Sequence, residues 1–101
     1  MRIIVLFNLQ GGASAADYEA WVKDSDIPGV RGLPSVTDYR VHKATGLLGS
    51  DAPSPFQYVE VIDIGDMDQF AVDAAGPVVQ KLSAELASFA DNPVFILTED
   101  L

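Results

Sequence analysis

The residues best suited to proton chemistry fall in two alternating segments. These are Ser35-Val36-Thr37-Asp38-Tyr39-Arg40-Val41-His42-Lys43 and Phe56-Gln57-Tyr58-Val59-Glu60-Val61-Ile62-Asp63. Strand side chains alternate between faces, so Arg40 and His42 share one face and Tyr58 and Glu60 share one face. If the connection closes symmetrically near Ser50, Arg40 is expected opposite Glu60 and His42 opposite Tyr58. The only histidine, a guanidinium, a carboxylate and a phenol then form one patch. Val41, Val59 and Val61 turn the other way, toward a core.

Each member of that patch has a chemical role and a plainer alternative. An imidazole serves as acid or base near neutral pH, which makes His42 the first catalytic candidate. Glu60 is its orienter or a partner base, and Arg40 stabilises developing negative charge. The plainer reading pairs Arg40 with Glu60 across two exposed strands, worth only ~0.2–1 kcal/mol. Tyr58 offers a proton donor and a stacking wall for substrate, against simple packing.

Two further substrate-binding candidates lie outside the patch. Trp21 follows Tyr18 at helical spacing, which suits a core but also the mouth of a chamber. Asn8 continues the alternation of Ile4 and Leu6 into a chamber, or else ends its strand before Gln10-Gly11-Gly12. Asp24 and Asp26 flank Ser25 without zinc-type ligand spacing, so no metal is expected. Neither a dinucleotide-type glycine loop nor a GxSxG elbow is present, and no cofactor is expected.

The elements that position these residues follow from punctuation and period. Arg2 to Leu9 reads as a buried strand. Ser14 caps a helix carrying Tyr18, Trp21 and Val22, and Asp17 stands three residues on. Pro28 biases Ile27 away from helix, so this helix is expected to fade by Asp26, with a short helical turn over Gly29 to Leu33. The two alternating strands are joined by Gly46 to Pro55, a loop suited to form a lid or rim over a chamber. Asp66 caps the next helix. Gly76-Pro77 breaks it and starts another, whose apolar stripe is Val78, Leu82, Leu86 and Phe89. Asp91-Asn92-Pro93 turns the chain into a last strand, Val94 to Thr98.

That order is β-α-β-β-α-β, an α+β ferredoxin-like protomer spanning 1–101 as one domain. Its uncovered sheet face would carry Ile4, Leu6, Val94 and Ile96, too apolar to leave in water. A homodimer closing two sheets face to face, a dimeric α/β barrel, is therefore expected.

Composition narrows the function classes. The chain has 101 residues, 49% of them hydrophobic, which supports one core. Fifteen acidic residues against six basic ones give a net charge of −9. Such a surface repels phosphate backbones, so nucleic acid is not an expected partner. No apolar run approaches the ~20 residues of a membrane span. No secretory leader is evident, and no cysteine supplies a disulfide framework. A cytoplasmic location is expected.

Several blocks also carry a family resemblance. Asp26-Ile27-Pro28, Leu33-Pro34-Ser35-Val36, Thr45-Gly46-Leu47-Leu48-Gly49, Tyr58-Val59-Glu60-Val61 and Phe89-Ala90-Asp91-Asn92-Pro93-Val94-Phe95 resemble the RedY/HapK family. These are small dimeric α+β-barrel proteins of prodiginine (tripyrrole) and bisindole biosynthesis. The resemblance runs nearly end to end. It implies bacterial secondary metabolism, an indole- or pyrrole-bearing intermediate as ligand, upstream pathway enzymes as further partners, and cyclisation, dehydration or tautomerisation without a cofactor. Two alternatives stand beside that reading. One is a non-catalytic binder or carrier of a labile intermediate. The other is a cofactorless monooxygenase, whose superfold relatives use a first-strand Asn with Trp and His; Asn8 fits that pattern, but Trp21 and His42 do not.

Overall fold

The computed structural model describes residues 1–101. Strand β1 (Arg2–Leu9) leads into helix α1 (Ala15–Trp21), a π-helical turn (Val22–Asp26) and helix α2 (Ile27–Arg31). Strands β2 (Val36–Lys43) and β3 (Tyr58–Ile64) follow, then helices α3 (Met67–Ala75) and α4 (Pro77–Leu86), and strand β4 (Ala90–Thr98). The four strands form one antiparallel sheet in the order β2-β3-β1-β4. This is the ferredoxin-like α+β arrangement, with helices on one face of the sheet.

The caps act as their residue types require. Ser14 accepts the Asp17 N–H at 3.2 Å, and Asp66 accepts those of Asp68 and Gln69 at 2.9 and 3.2 Å. Pro77 sits in the first turn of α4, where its missing N–H costs nothing.

Two expected boundaries move. Pro28 does not end the first helix, because the chain stays helical to Arg31 through the π turn. There the Ile27 N–H donates to the carbonyl of Val22, five residues back. The wider turn reaches a proline that has no N–H to give. Strand β4 begins at Ala90 rather than Val94 and runs through Pro93. It lies at the sheet edge, where a proline leaves no neighbour short of a donor. A register shift between Leu6 and Asn8, with Asn92 at φ 45°, absorbs the local kink.

The register between β2 and β3 decides the chemistry. Arg40 lies opposite Val61, Val41 opposite Glu60, and His42 opposite Val59. The expected pairings of Arg40 with Glu60 and His42 with Tyr58 are therefore displaced by one residue, and a one-residue shift moves every side chain to the other face. The larger side chains win. Tyr39, Tyr58, Ile62 and Ile64 are buried under the helices with Ile3, Val5 and Phe7 of β1. Each full burial of this kind is worth about 1.5–3 kcal/mol. Val59 and Val61, smaller, go to the open face beside Arg40 and His42, while Val41 stays with the helices.

The open face carries Ile4 and Leu6 flanked by Ile96 and Val94, as their alternation implies. Val94 and Ile96 remain 47% and 40% exposed. No helix is long and apolar enough to cross a membrane.

Candidate active site

Between the helices and the covered sheet face lies a cavity of about 340 Å³. It is bounded by the sheet at Ile3, Ile62 and Leu97 and by the helices at Val30, Phe70 and Leu82. At the other end of this face an aromatic wedge fills the space. The Phe7 ring stacks on Tyr58 at 5.8 Å, and Tyr18 packs edge-on to both at 5.5 and 4.6 Å. The wedge confines the open volume to the side of the sheet where Glu60 begins.

Ten of the thirteen lining residues are hydrophobic, so the few polar groups set any chemistry. They are Asp26, Glu60 and Ser83, with the phenol of Tyr39. Asp26 comes from the end of the π turn, which brings its carboxylate inward although Asp24 is exposed and Ser25 only half-buried. Tyr39 and Glu60 come from adjacent strands on the covered face. The Tyr39 hydroxyl donates to Asp26 Oδ2 at 2.6 Å, wholly inside the protein. Glu60 is 3% exposed, and its Oε1 has no hydrogen-bond partner.

These surroundings separate the two carboxyl groups. Burial pushes Glu60 up to about 8, the nearby Asp26 charge adds to the rise, and the Tyr39 hydroxyl opposes it. Burial also raises Asp26, but only to about 6, because the Tyr39 hydrogen bond holds it down. Burial thus keeps a proton on the coupled pair toward neutral pH, held more strongly at Glu60 than at Asp26. Burial and the two carboxylates raise the Tyr39 phenol, so it stays protonated. A neutral acid and an ionised base share one apolar cavity, the pattern that assigns acid and base roles in proton-transfer sites.

The sequence-predicted residues distribute as follows. Glu60 is at the cavity. Arg40 and His42 are on the opposite face of the sheet, in a polar surface hollow with Arg2, Asp38 and Asp63, and Arg40 Nε donates to Asp38 at 2.8 Å. The expected four-residue patch is thus divided by the sheet itself. Tyr58 shares the face of Glu60, but its hydroxyl donates to Glu19 at 2.8 Å and its ring belongs to the aromatic wedge. Trp21 packs on Tyr18 and Phe89 and does not line the cavity. Asn8 bonds the Pro55 carbonyl at 3.0 Å and the Gln57 N–H at 2.9 Å, tying down the loop after β2. That loop lines a separate surface hollow and does not cover the cavity.

Asp26 and Tyr39 were not singled out as site residues. Tyr39 alternates with Arg40 and His42, so the correct register alone would have placed it beside Glu60. Asp26 was hidden by the expectation that the helix ended there; π turns are frequent at functional sites but have no composition signature.

The comparisons agree with the fold. The family model for REDY-like protein HapK matches residues 1–101. The crystal structure of HapK from Hahella chejuensis is 29% identical, covers 98% of this chain and 93% of its own, and superposes with a TM-score of 0.74. A dimeric ferredoxin-like protein of unknown function from Thermobifida fusca is 21% identical, with 94% and 85% covered and a TM-score of 0.73. Hydroxynitrile lyase from Passiflora edulis shares the fold at 13% identity, with 99% and 94% covered and a TM-score of 0.79. No curated protein shows significant similarity to the chain. With a family model matched from end to end and a HapK crystal structure of the same fold, the chain belongs to the REDY-like HapK family.

Proposed function

We propose that this protein is a cofactor-independent acid/base catalyst acting on an indole- or pyrrole-bearing biosynthetic intermediate. The observation that carries this reading is the Glu60 carboxyl group, buried with a free oxygen beside the Tyr39–Asp26 hydrogen bond in an apolar cavity. The substrate class is what the RedY/HapK resemblance implies, and the apolar walls supply the affinity that a ring system needs.

In this mechanism Glu60 gives its proton to a ring carbon, imine nitrogen or departing hydroxyl of the ligand. The carboxylate that remains takes a proton from another position of the same ligand. Tautomerisation, cyclisation and dehydration all balance under this scheme without an oxidant. Tyr39 holds Asp26 in place, and the Asp26 charge keeps the Glu60 proton available at neutral pH. Arg40 and His42, across the sheet, take no part in that transfer.

The open sheet face supports a homodimer. Ile4, Leu6, Val94 and Ile96 form an apolar strip, and a structural neighbour is described as dimeric. A cytoplasmic enzyme supplied by an upstream pathway enzyme fits this reading.

A reconstituted bisindole-forming reaction, run with and without the protein, tests the function. A cyclised, dehydrated or tautomerised product that needs the protein in both air and nitrogen is expected. A product formed only in air would instead favour monooxygenase chemistry, and an unchanged product profile would favour a carrier.

A further inference from the structure

The cavity is asymmetric in its polar chemistry, and the asymmetry bears on what can enter it. Its walls contain no lysine, arginine or histidine. Its polar atoms are mainly acceptors: the Asp26 carboxylate and the buried Glu60 Oε1, which has no partner. The Tyr39 proton is already committed to Asp26 at 2.6 Å. Arg31, on the neighbouring helix α2, points elsewhere; its Nε donates to the Tyr39 carbonyl at 3.0 Å and lies 3.9 Å from Asp38. Beyond the proton that Glu60 itself holds near pH 7, only the Ser83 hydroxyl remains as a side-chain donor, and it lies at the exposed rim.

We propose that this cavity selects a neutral or cationic nitrogen-containing ring that donates N–H hydrogen bonds, and excludes ligands bearing a carboxylate or phosphate. The proposal rests on the reading of the cavity as the substrate site. A ring N–H would satisfy Glu60 Oε1, the buried acceptor that this cavity leaves without a partner. A ligand carboxylate would enter an apolar space beside a fixed negative charge with no cation to meet it. Like-charge juxtaposition in a desolvated site is strongly unfavourable. The selection also places the enzyme in a reaction order: any acidic group on the precursor must be removed or masked by an earlier decarboxylating or amide-forming step.

Three 3-substituted indole probes of different charge test this by calorimetric titration at pH 7. They are tryptamine, 3-ethylindole and indole-3-propionate. Tryptamine and 3-ethylindole are expected to bind at least about tenfold more tightly than indole-3-propionate. The variant Ser83→Lys, at an exposed position on α4, adds a cation at the rim. It should raise affinity for indole-3-propionate about tenfold or more and weaken tryptamine, which separates a cavity effect from the general negative charge of the protein. Equal or tighter binding of indole-3-propionate to the wild-type protein would overturn the selectivity while leaving the cavity as a ring-binding site. Absence of binding by all three probes would overturn the selectivity and the site reading together.

Discussion

Tyr39 donates its hydroxyl proton to Asp26 at 2.6 Å, joining the middle of strand β2 to the end of the π turn beneath the helices. A hydrogen bond to a charged acceptor in a buried setting is worth about 1.5–3 kcal/mol. Tyr39→Phe keeps the ring packing and removes the hydroxyl, leaving the buried Asp26 carboxyl without its donor. The expected result is a loss of about 2 kcal/mol in urea denaturation at pH 7. Catalysis should fall as well, since Asp26 loses its fixed position. A stability unchanged within 0.5 kcal/mol (about the error of such fits) would mean that Asp26 finds another partner.

The pH dependence of stability follows from the two raised carboxyl groups. Glu60 rises from 4.5 unfolded to about 8 folded, and Asp26 from 3.8 to about 6. The folded state thus holds protons that the unfolded state has released. Their contribution is complete below the unfolded values and is lost as pH rises through the folded ones. From about pH 7 to 8, above the Asp26 value, Glu60 contributes most of this slope, at most about 1.4 kcal/mol per pH unit. The wild-type protein should lose stability over that window, and Glu60→Gln should flatten the loss. Parallel stability–pH curves for the two proteins would show that Glu60 does not hold a proton at pH 7.

Much of this architecture was legible in the chain. Ser14, Asp66 and Pro77 announce helix starts through backbone chemistry that acts locally, and the apolar run of β1 has one burial solution. The register of β2 against β3 was not legible, because both faces of β3 carry apolar residues: Tyr58, Ile62 and Ile64 on one, Val59 and Val61 on the other. Alternation identifies the two faces but not which one is buried. The choice was made by packing volume contributed by β1 and the helices, which no local pattern contains. Glu60 emerged as a candidate through its alternation with Tyr58, although the expected pairing with Arg40 lies one residue out of register. Asp26 did not, because its inward direction depends on a π turn.

Helix α2 packs closely on α4 at Gly29, where an added Cβ would lie 2.9 Å from Leu82 Cδ1. Leu82 also lines the cavity. Gly29→Ala gains up to about 1 kcal/mol of helix propensity and loses about 1–3 kcal/mol to overpacking. The displaced atom is the tip of a flexible side chain, so the overpacking cost should fall at the low end. Stability is expected to stay within about 1 kcal/mol of wild type, while ring-probe affinity falls several-fold as Leu82 moves into the cavity. Thermal melts and probe titrations on the same preparation separate the two effects, and unchanged affinity would place Leu82 away from the ligand.

The central claim is that proton transfer occurs at Glu60, on the helix-covered face, and not at His42 on the open one. Product formation in the reconstituted reaction, compared between Glu60→Gln and His42→Ala at pH 7, tests it most directly. The account predicts that Glu60→Gln retains the fold and ring binding but loses about 10²–10⁴-fold in turnover, while His42→Ala stays within about threefold of wild type. The reverse result, a dead His42→Ala beside an active Glu60→Gln, would contradict the account and move the chemistry to the open face.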